Sequence, residues 1–332
     1  EADIVSHSVT WNEHGARMFV FGVGNDVNAR LLDRLALEHG GKVEYVQPNE
    51  DIEASVASLY GAISDPVLTD IYAEFQGVSV SEVYPQRVPD MFKGGQLVLS
   101  GKYKGSGEGK VIITGMSGGK RQTFEFPVSF NDHWDPQTHS YVEKVWASKR
   151  VADLITQIDQ NGQNQELVDE LIKLSKEYGI LTPYTSFLAR EDVDFADNTR
   201  MVEESESRLQ NLENVQGESA NAQRRYKNRL AESSGMAMSA PMEDMEFVEK
   251  EEEVAVATNI RNIGSKTFYN KDNTWVDGEI AEQESERAIQ INRFSKEYFE
   301  LSKGQHADFN QYLSMDGEVL VRLNGSVYHI VD

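Results

Sequence analysis

Seven histidines, His7, His14, His39, His133, His139, His306 and His329, are the first candidates for proton transfer or metal ligation in this sequence. No two are spaced four apart, the helical interval that turns two imidazoles toward one zinc ion. His133 and His139 bracket Trp134-Asp135 and are read as solvent-exposed loop residues. Cysteine is absent, which excludes thiolate nucleophiles, disulfides and zinc–thiolate sites together. Gly22-Val-Gly24 stands between an apolar run and a helical pattern, where backbone amides could cradle phosphate. The third glycine of a dinucleotide loop and the lysine of a phosphate loop are missing, so the pair is read as a tight turn. The serines are not expected to serve a hydrolase. Carboxylates are so abundant that their proximity in sequence identifies no acid–base pair. Met236, Met238, Met242 and Met245 could form a docking peptide or a thioether copper site; without His or Cys beside them they are read as linker. Trp134, Tyr141 and Trp146 could make a sugar platform, but their spacing fits helix burial and is read so.

The 332 residues suffice for two or three compact units. A net charge of -23 repels phosphate backbones and anionic headgroups, so no nucleic-acid partner is expected. No apolar run approaches the ~20 residues that span a bilayer, and no signal-peptide pattern is visible.

The elements that must position any site follow from periodicity. Arg17-Met-Phe-Val-Phe-Gly-Val-Gly24 reads as a parallel strand buried on both faces. Asn25 and Asp26 are N-cap types before a helix that carries Val27, Leu31 and Leu35, ended by Gly40-Gly41. Lys42 to Val46 gives a second strand, and residues 49–63 a second helix with Ile52, Val56 and Leu59 on one face. Residues 1–64 are thus an α/β fragment, the end of a doubly wound sheet. Its other strands are expected upstream of Glu1 or on a partner. Residues 65–131 change to a period of two, broken by Gly94-Gly95, Gly105-Ser-Gly107 and Ser117-Gly-Gly119, and read as an antiparallel β-sandwich. Residues 132–190 read as a helical hairpin divided at Asn161-Gly162, with Tyr141, Val145, Ala152 and Ile155 inward. An edge strand over Ile180 to Leu188 follows. Residues 191–255 hold 17 acidic against 7 basic residues and read as an acidic flexible linker with a short helix near Gln223 to Glu232. Residues 256–332 read as a small α+β C-terminal domain opening on a hairpin.

Several of these strings together resemble a known family. Arg17 to Asn28 with Leu31-Leu32, Gly40-Gly41, Tyr45-Val46 and Glu50-Asp-Ile52 resembles the last part of a von Willebrand factor A domain. Pro66-Val-Leu-Thr-Asp70, Val83-Tyr-Pro85, Pro89-Asp-Met-Phe-Lys-Gly94, Trp146-Ala-Ser-Lys-Arg150 and Tyr178 to Phe187 are similar to bacterial proteins that join a VIT domain to such an A domain. These are relatives of the inter-alpha-trypsin inhibitor heavy chains. The resemblance covers Arg17 to about Arg190, and the C-terminal unit more loosely.

The resemblance implies an exported, non-enzymatic binding or adhesion protein, located extracellularly, at the cell surface or in the periplasm. Its ligand would be a protein or an extracellular-matrix polysaccharide, and upstream VIT and A-domain segments of the same protein would be partners. The family's A domain holds Mg2+ or Ca2+ through Asp-x-Ser-x-Ser and later Thr and Asp residues. That motif is absent from this sequence, so no metal ligand or cofactor is assigned within it. Gly24, Asn25 and Asp26 alone could border the metal face, as the turn after a strand's carboxyl end. Animal relatives can be cleaved at an Asp-Pro bond and esterified to hyaluronan. Asp135-Pro136 lacks the histidine that follows in that motif and is read as a helix start. Two other readings stay open: a hydrolytic enzyme acting on an extracellular polymer, and a cytosolic A-domain scaffold serving an ATPase.

Overall fold

The computed structural model describes residues 1–48, 50–133, 136–195, 197–232, 259–280, 282–303 and 310–331. They fall into two compact units, 1–134 with 214–234, and 135–213 with 235–332.

In the first unit, helix α1 (Ala2–Trp11) precedes strand β1 (Val20–Val23), helix α2 (Ala29–Glu38), strand β2 (Val43–Val46) and helix α3 (Ile52–Ile63). β1 and β2 are parallel, with Val20 opposite Val43 and Val23 opposite Val46. α2 begins later than the cap types Asn25 and Asp26 suggest. Its N-cap is Asn28, whose side chain accepts from the Leu31 amide at 3.0 Å, because the Ala29 amide is engaged by the Val215 carbonyl at 2.8 Å. β1 is less buried than its apolar run implies, and α3 buries no residue; Ile52, Val56 and Tyr60 are exposed. A strand covered on both faces needs more sheet and more helix around it, and among the described residues β1 pairs with β2 alone. Gly41 is fixed by a close approach: a Cβ there would lie 2.0 Å from the Met18 carbonyl oxygen.

Two antiparallel sheets follow. Strands β3 (Pro66–Gln76), β5 (Met91–Phe92), β7 (Gly107–Ser117) and β8 (Lys120–Phe130) are ordered β5-β3-β7-β8, while β4 (Ser79–Tyr84) pairs with β6 (Ser100–Lys104). Tyr103 of β6 and Phe130 of β8 meet edge to face at 5.2 Å between centroids. Leu97 and Leu99 belong to the loop before β6 and not to a strand. Charged residues tie these sheets to the α/β segment. The Arg17 guanidinium donates to both oxygens of Asp90 at 2.6 and 3.0 Å and to Asp70 at 2.6 Å. Those hydrogen bonds, Asp90 first, hold its pKa above the ordinary value against the opposing effect of burial. Arg87 donates to the carbonyls of Leu37 and Glu38 at the end of α2, which suits the negative end of a helix.

The stretch expected to be a flexible linker is helical where it is described. Helix α6 (Asn198–Leu209) buries Met201, Val202, Ser205 and Leu209, and Leu212 beyond it is buried too. Helix α7 (Glu218–Glu232) returns to the first unit, covering α2 and β2. Acidic composition misled here because the charges are paired: Glu204 accepts from both Arg190 and Arg208. Four bases, Arg224, Arg225, Lys227 and Arg229, are concentrated in α7. Met236, Met238, Met242 and Met245 lie outside the described residues.

The second unit holds helices α4 (Pro136–Asn161) and α5 (Gln165–Tyr178), then α6. Val145, Ala152 and Ile155 of α4 are buried, whereas Tyr141 is exposed and does not point inward as expected. Ile180 to Leu188 is not an edge strand but a buried turn ending in a 3-10 helix, Ser186–Ala189. The threonine hydroxyls replace sheet partners. Thr182 N donates to Thr185 Oγ1 at 2.9 Å, Tyr184 N to Thr182 Oγ1 at 3.2 Å, and Thr185 Oγ1 to Ser175 Oγ at 3.1 Å.

Among the described residues the unit's sheet has six strands: β9 (Ile260–Ile263), β10 (Lys266–Lys271), β11 (Thr274–Asp277), β12 (Ile289–Asn292), β13 (Glu318–Leu323) and β14 (Ser326–Val331), ordered β12-β14-β13-β11-β10-β9. β11 with β13 and β12 with β14 are parallel pairs; the others are antiparallel. Helices α8 (Glu282–Ser285), α9 (Lys296–Lys303) and α10 (Asn310–Leu313) flank it. Phe268, Trp275, Ile291, Tyr312, Val319 and Ile330 form the core.

Lys271 gives this unit a pH dependence. Its ammonium donates to the carbonyls of Leu188, at 3.0 Å, and Arg190, and lies over the Phe195 ring at 4.6 Å. Burial nevertheless pushes it down to about 8. The unfolded chain therefore holds this proton up to the ordinary lysine value of ~10.4, while the folded chain releases it earlier. Between these two values the unfolded state binds more protons, so stability rises with pH. Denaturant titrations should show wild type gaining about 1–3 kcal/mol on Lys271→Met across that window. A difference independent of pH would refute the assignment.

Candidate functional site at the carboxyl end of β1

Gly22, Gly24 and the turn after them are shaped by packing. A Cβ on Gly22 would lie 2.9 Å from Tyr45 Cδ1 and 3.0 Å from Leu32 Cδ1, so this glycine lets α2 and β2 close over the strand. Gly24 has a left-handed backbone, φ +79°, and its amide donates to the Val46 carbonyl at 3.0 Å.

The carbonyl groups of the turn are occupied from within the chain. Gly217 N donates to Asn25 O at 2.7 Å, and Asn221 Nδ2 donates to Gly24 O at 3.0 Å. Together with the bond from Ala29 N to Val215 O, these three contacts lay residues 215–221 across the rim. Asp26 stays exposed, and Gly24 and Asn25 are half-buried. Asn221 is only 3 % exposed, and among the described residues its Oδ1 has no hydrogen-bond partner. Such an orphaned oxygen carries a desolvation cost of about 1–3 kcal/mol.

Behind the rim lies a charged cluster that joins α2, β2 and α7. Asp33 Oδ1 lies 2.6 Å from the Tyr45 hydroxyl, and Asp33 Oδ2 lies 2.5 Å from Lys227 Nζ and 3.7 Å from Arg224 Nε. The Arg224 side chain is 1 % exposed, and its Nη1 donates to Ala220 O. Sequence reasoning missed this cluster. The available signal was the concentration of bases within an acidic stretch.

The metal implied by the resemblance does not fit these residues. The rim offers one carboxylate, Asp26, and its carbonyls already accept hydrogen bonds, whereas Ca2+ takes six to eight oxygens. Among the described residues no three His, Asp or Glu side chains converge to hold a metal. His39, buried beside α1, has Nε2 2.9 Å from Ser8 Oγ and Nδ1 2.7 Å from Asn12 Nδ2. Ser8 Oγ in turn donates to Val5 O at 2.7 Å, so its proton points away from the imidazole and the pair is not a nucleophile–base dyad. His133 is exposed, and His329 pairs with Glu318 at 3.0 Å; His306 lies outside the described residues. One serine does match Gly-x-Ser-x-Gly, in Gly115-Met-Ser-Gly-Gly119. It sits on the β7–β8 hairpin turn, not on the strand-to-helix elbow that arms a hydrolase serine. Trp146 is buried, Tyr141 is exposed, and Trp134 and Asp135 lie outside the described residues.

This mixed α/β chain, with its parallel βαβ segment and the antiparallel sheets that follow, is similar in sequence to proteins with a von Willebrand factor A domain. Its particular relatives are inter-alpha-trypsin inhibitor heavy chains. It is 26 % identical to human heavy chain H4 over 210 residues, which cover 59 % of this chain and 22 % of that protein. Mouse heavy chain H2 is 24 % identical over 57 % of this chain and 21 % of its own length. A von Willebrand factor A domain-containing protein of Dictyostelium discoideum is 24 % identical over 57 % of this chain and 23 % of its own length. The chain thus spans about a fifth of each curated relative. No family model matches it. Among the described residues no helix is long and apolar enough to cross a membrane.

Proposed function

We propose that this chain is the carboxyl portion of an exported bacterial protein of the VIT and von Willebrand A type that binds or adheres and does not catalyse. The observation that supports this reading is the similarity to inter-alpha-trypsin inhibitor heavy chains over more than half of the chain. In this reading residues 1–64 end the A-type domain, 65–131 are a β-sandwich region, 132–190 a helical hairpin, and 256–332 a C-terminal domain. The ligand is a protein or an extracellular-matrix polysaccharide. The protein works outside the cell, at its surface or in the periplasm.

The metal-dependent site, holding Mg2+ or Ca2+ in the full-length protein, lies largely on segments outside this chain. What this chain contributes is a rim, Gly24 to Asp26, strapped by residues 215–221. Thermal unfolding of the chain with and without Mg2+ or Ca2+ tests the division. A bound ion at 100 times its Kd would add about 2.7 kcal/mol. We expect no shift of Tm with either ion, and a clear rise would overturn the placement of the site. Turnover of substrates in a hydrolase screen would overturn the non-enzymatic reading.

A further inference from the structure

The second unit brings a lysine, an aspartate and a glutamate together. Phe268 of β10 lies opposite Asp277 of β11, and Lys266 precedes Phe268 by two residues, so the period of a strand puts Lys266 and Asp277 on one face. Lys266 Nζ lies 2.8 Å from Asp277 Oδ2 and 2.8 Å from Glu279 Oε2. The side chains of Lys266 and Asp277 are 9 % and 0 % exposed, whereas that of Glu279 reaches solvent. Both oxygens of Asp277 also receive backbone amides: Glu279 N donates to Oδ1 and Arg322 N to Oδ2, each at 3.1 Å.

We propose that Lys266 and Asp277 condense to an intramolecular isopeptide bond, with Glu279 as the catalytic proton relay. The ammonium of Lys266 first passes a proton to the Asp277 carboxylate, giving a neutral amine beside a neutral acid. Burial favours that exchange from the carboxyl side, since desolvation is the largest influence on Asp277 and raises its pKa. On the lysine side, burial favours the amine, but attraction to Asp277 and Glu279 outweighs it and leaves the pKa raised. Proton transfer to Asp277 removes part of that attraction. The Nζ lone pair then attacks Asp277 Cγ and forms the N–C bond. The oxyanion that develops keeps a backbone N–H donor whichever oxygen is retained, the arrangement that stabilises acyl-transfer intermediates. Glu279 takes a proton from Nζ and delivers it to the departing hydroxyl, which leaves as water. No oxidant or cofactor is consumed: an amine and a carboxylic acid become an amide and one water. The product links β10 to β11 covalently within the sheet.

Intact-mass spectrometry of the folded, full chain reads the outcome. The mass should fall short of the sequence mass by one water, and a proteolytic digest should contain a branched peptide joining the segments of Lys266 and Asp277. Lys266→Arg and Asp277→Ala should restore the full mass. Glu279→Gln, which preserves shape and polarity, should yield folded protein of full mass, identified as folded by circular dichroism. A competing loss of water is available, because Asp277 precedes Gly278 and can cyclise onto its amide as a succinimide. That product has no branched peptide and persists in Lys266→Arg, and finding it alone would overturn the proposal. Full mass in the folded wild type would overturn it as well. A bond that forms unimpaired in Glu279→Gln would remove Glu279 from the mechanism.

Discussion

Asp33→Ala is expected to destabilise the first unit by about 3–5 kcal/mol, the range for removing one partner of a buried charge pair. Asp33 is the carboxylate facing Lys227 and Arg224, whose side chains are themselves buried. The aspartate also receives the Tyr45 hydroxyl at 2.6 Å. Without it, Lys227 and Arg224 lose the carboxylate that they share at 2.5 and 3.7 Å, and α7 loses these ion pairs to α2. Urea denaturation followed by circular dichroism would show the midpoint falling, and hydrogen exchange should accelerate first in 218–232. Asp33→Leu combined with Lys227→Met should recover part of the loss, because exchanging a buried ion pair for apolar side chains of similar size is often neutral. A change below about 1 kcal/mol in Asp33→Ala would mean that the ion pairs of Asp33 contribute little net stability.

Phe187→Ala should cost the second unit a comparable amount, about 3–5 kcal/mol for a buried phenylalanine. Phe187 is 0 % exposed, in a segment where Ser186, Leu188 and Ala189 are also buried. Its ring supports the Arg208 guanidinium at 5.1 Å, and that group donates to Ser186 Oγ at 3.0 Å and to Glu204 at 2.9 Å. Truncation leaves a cavity beneath a half-buried cation, so the lost burial and the lost cation–π contact add. Chemical denaturation of the full chain would measure it. A loss under about 1 kcal/mol would indicate that the neighbouring side chains collapse into the space.

These two residues differ in what the sequence disclosed about them. Phe187 lies in Tyr178 to Phe187, one of the strings that carried the family resemblance, yet its local form was misread. Ile180 to Leu188 looked like an edge strand because the threonine hydroxyls that bend the chain have no periodic signature. Asp33 looked like any surface acid on an amphipathic helix, since its partners lie 191 and 194 residues away. Helix α6 was obscured in a similar way. Met201, Ser205, Leu209 and Leu212 do repeat at helical spacing, but they are few and stand among charges that composition reads as solvated.

Gly24, Asn25 and Asp26 were legible as the turn after a strand's carboxyl end, and the structure places them there. Their covering by 215–221 was not legible, because three hydrogen bonds between distant backbone segments leave no pattern in the intervening chain. The isopeptide triad was obscure for the opposite reason. Lys266, Asp277 and Glu279 are close in sequence, but only strand pairing shows that they share a face and that the site is dry.

The sequence by itself determined what is set by local periodicity and composition: the βαβ order and glycine turn of residues 17–46, the shift to a period of two after Asp65, and the absence of cysteine chemistry. Tertiary structure alone decided where charges find partners. Burial turns Asp33, Lys227, Lys266 and Asp277 from soluble residues into paired ones, and a charge's surroundings depend on segments brought together by folding, not on its neighbours along the chain.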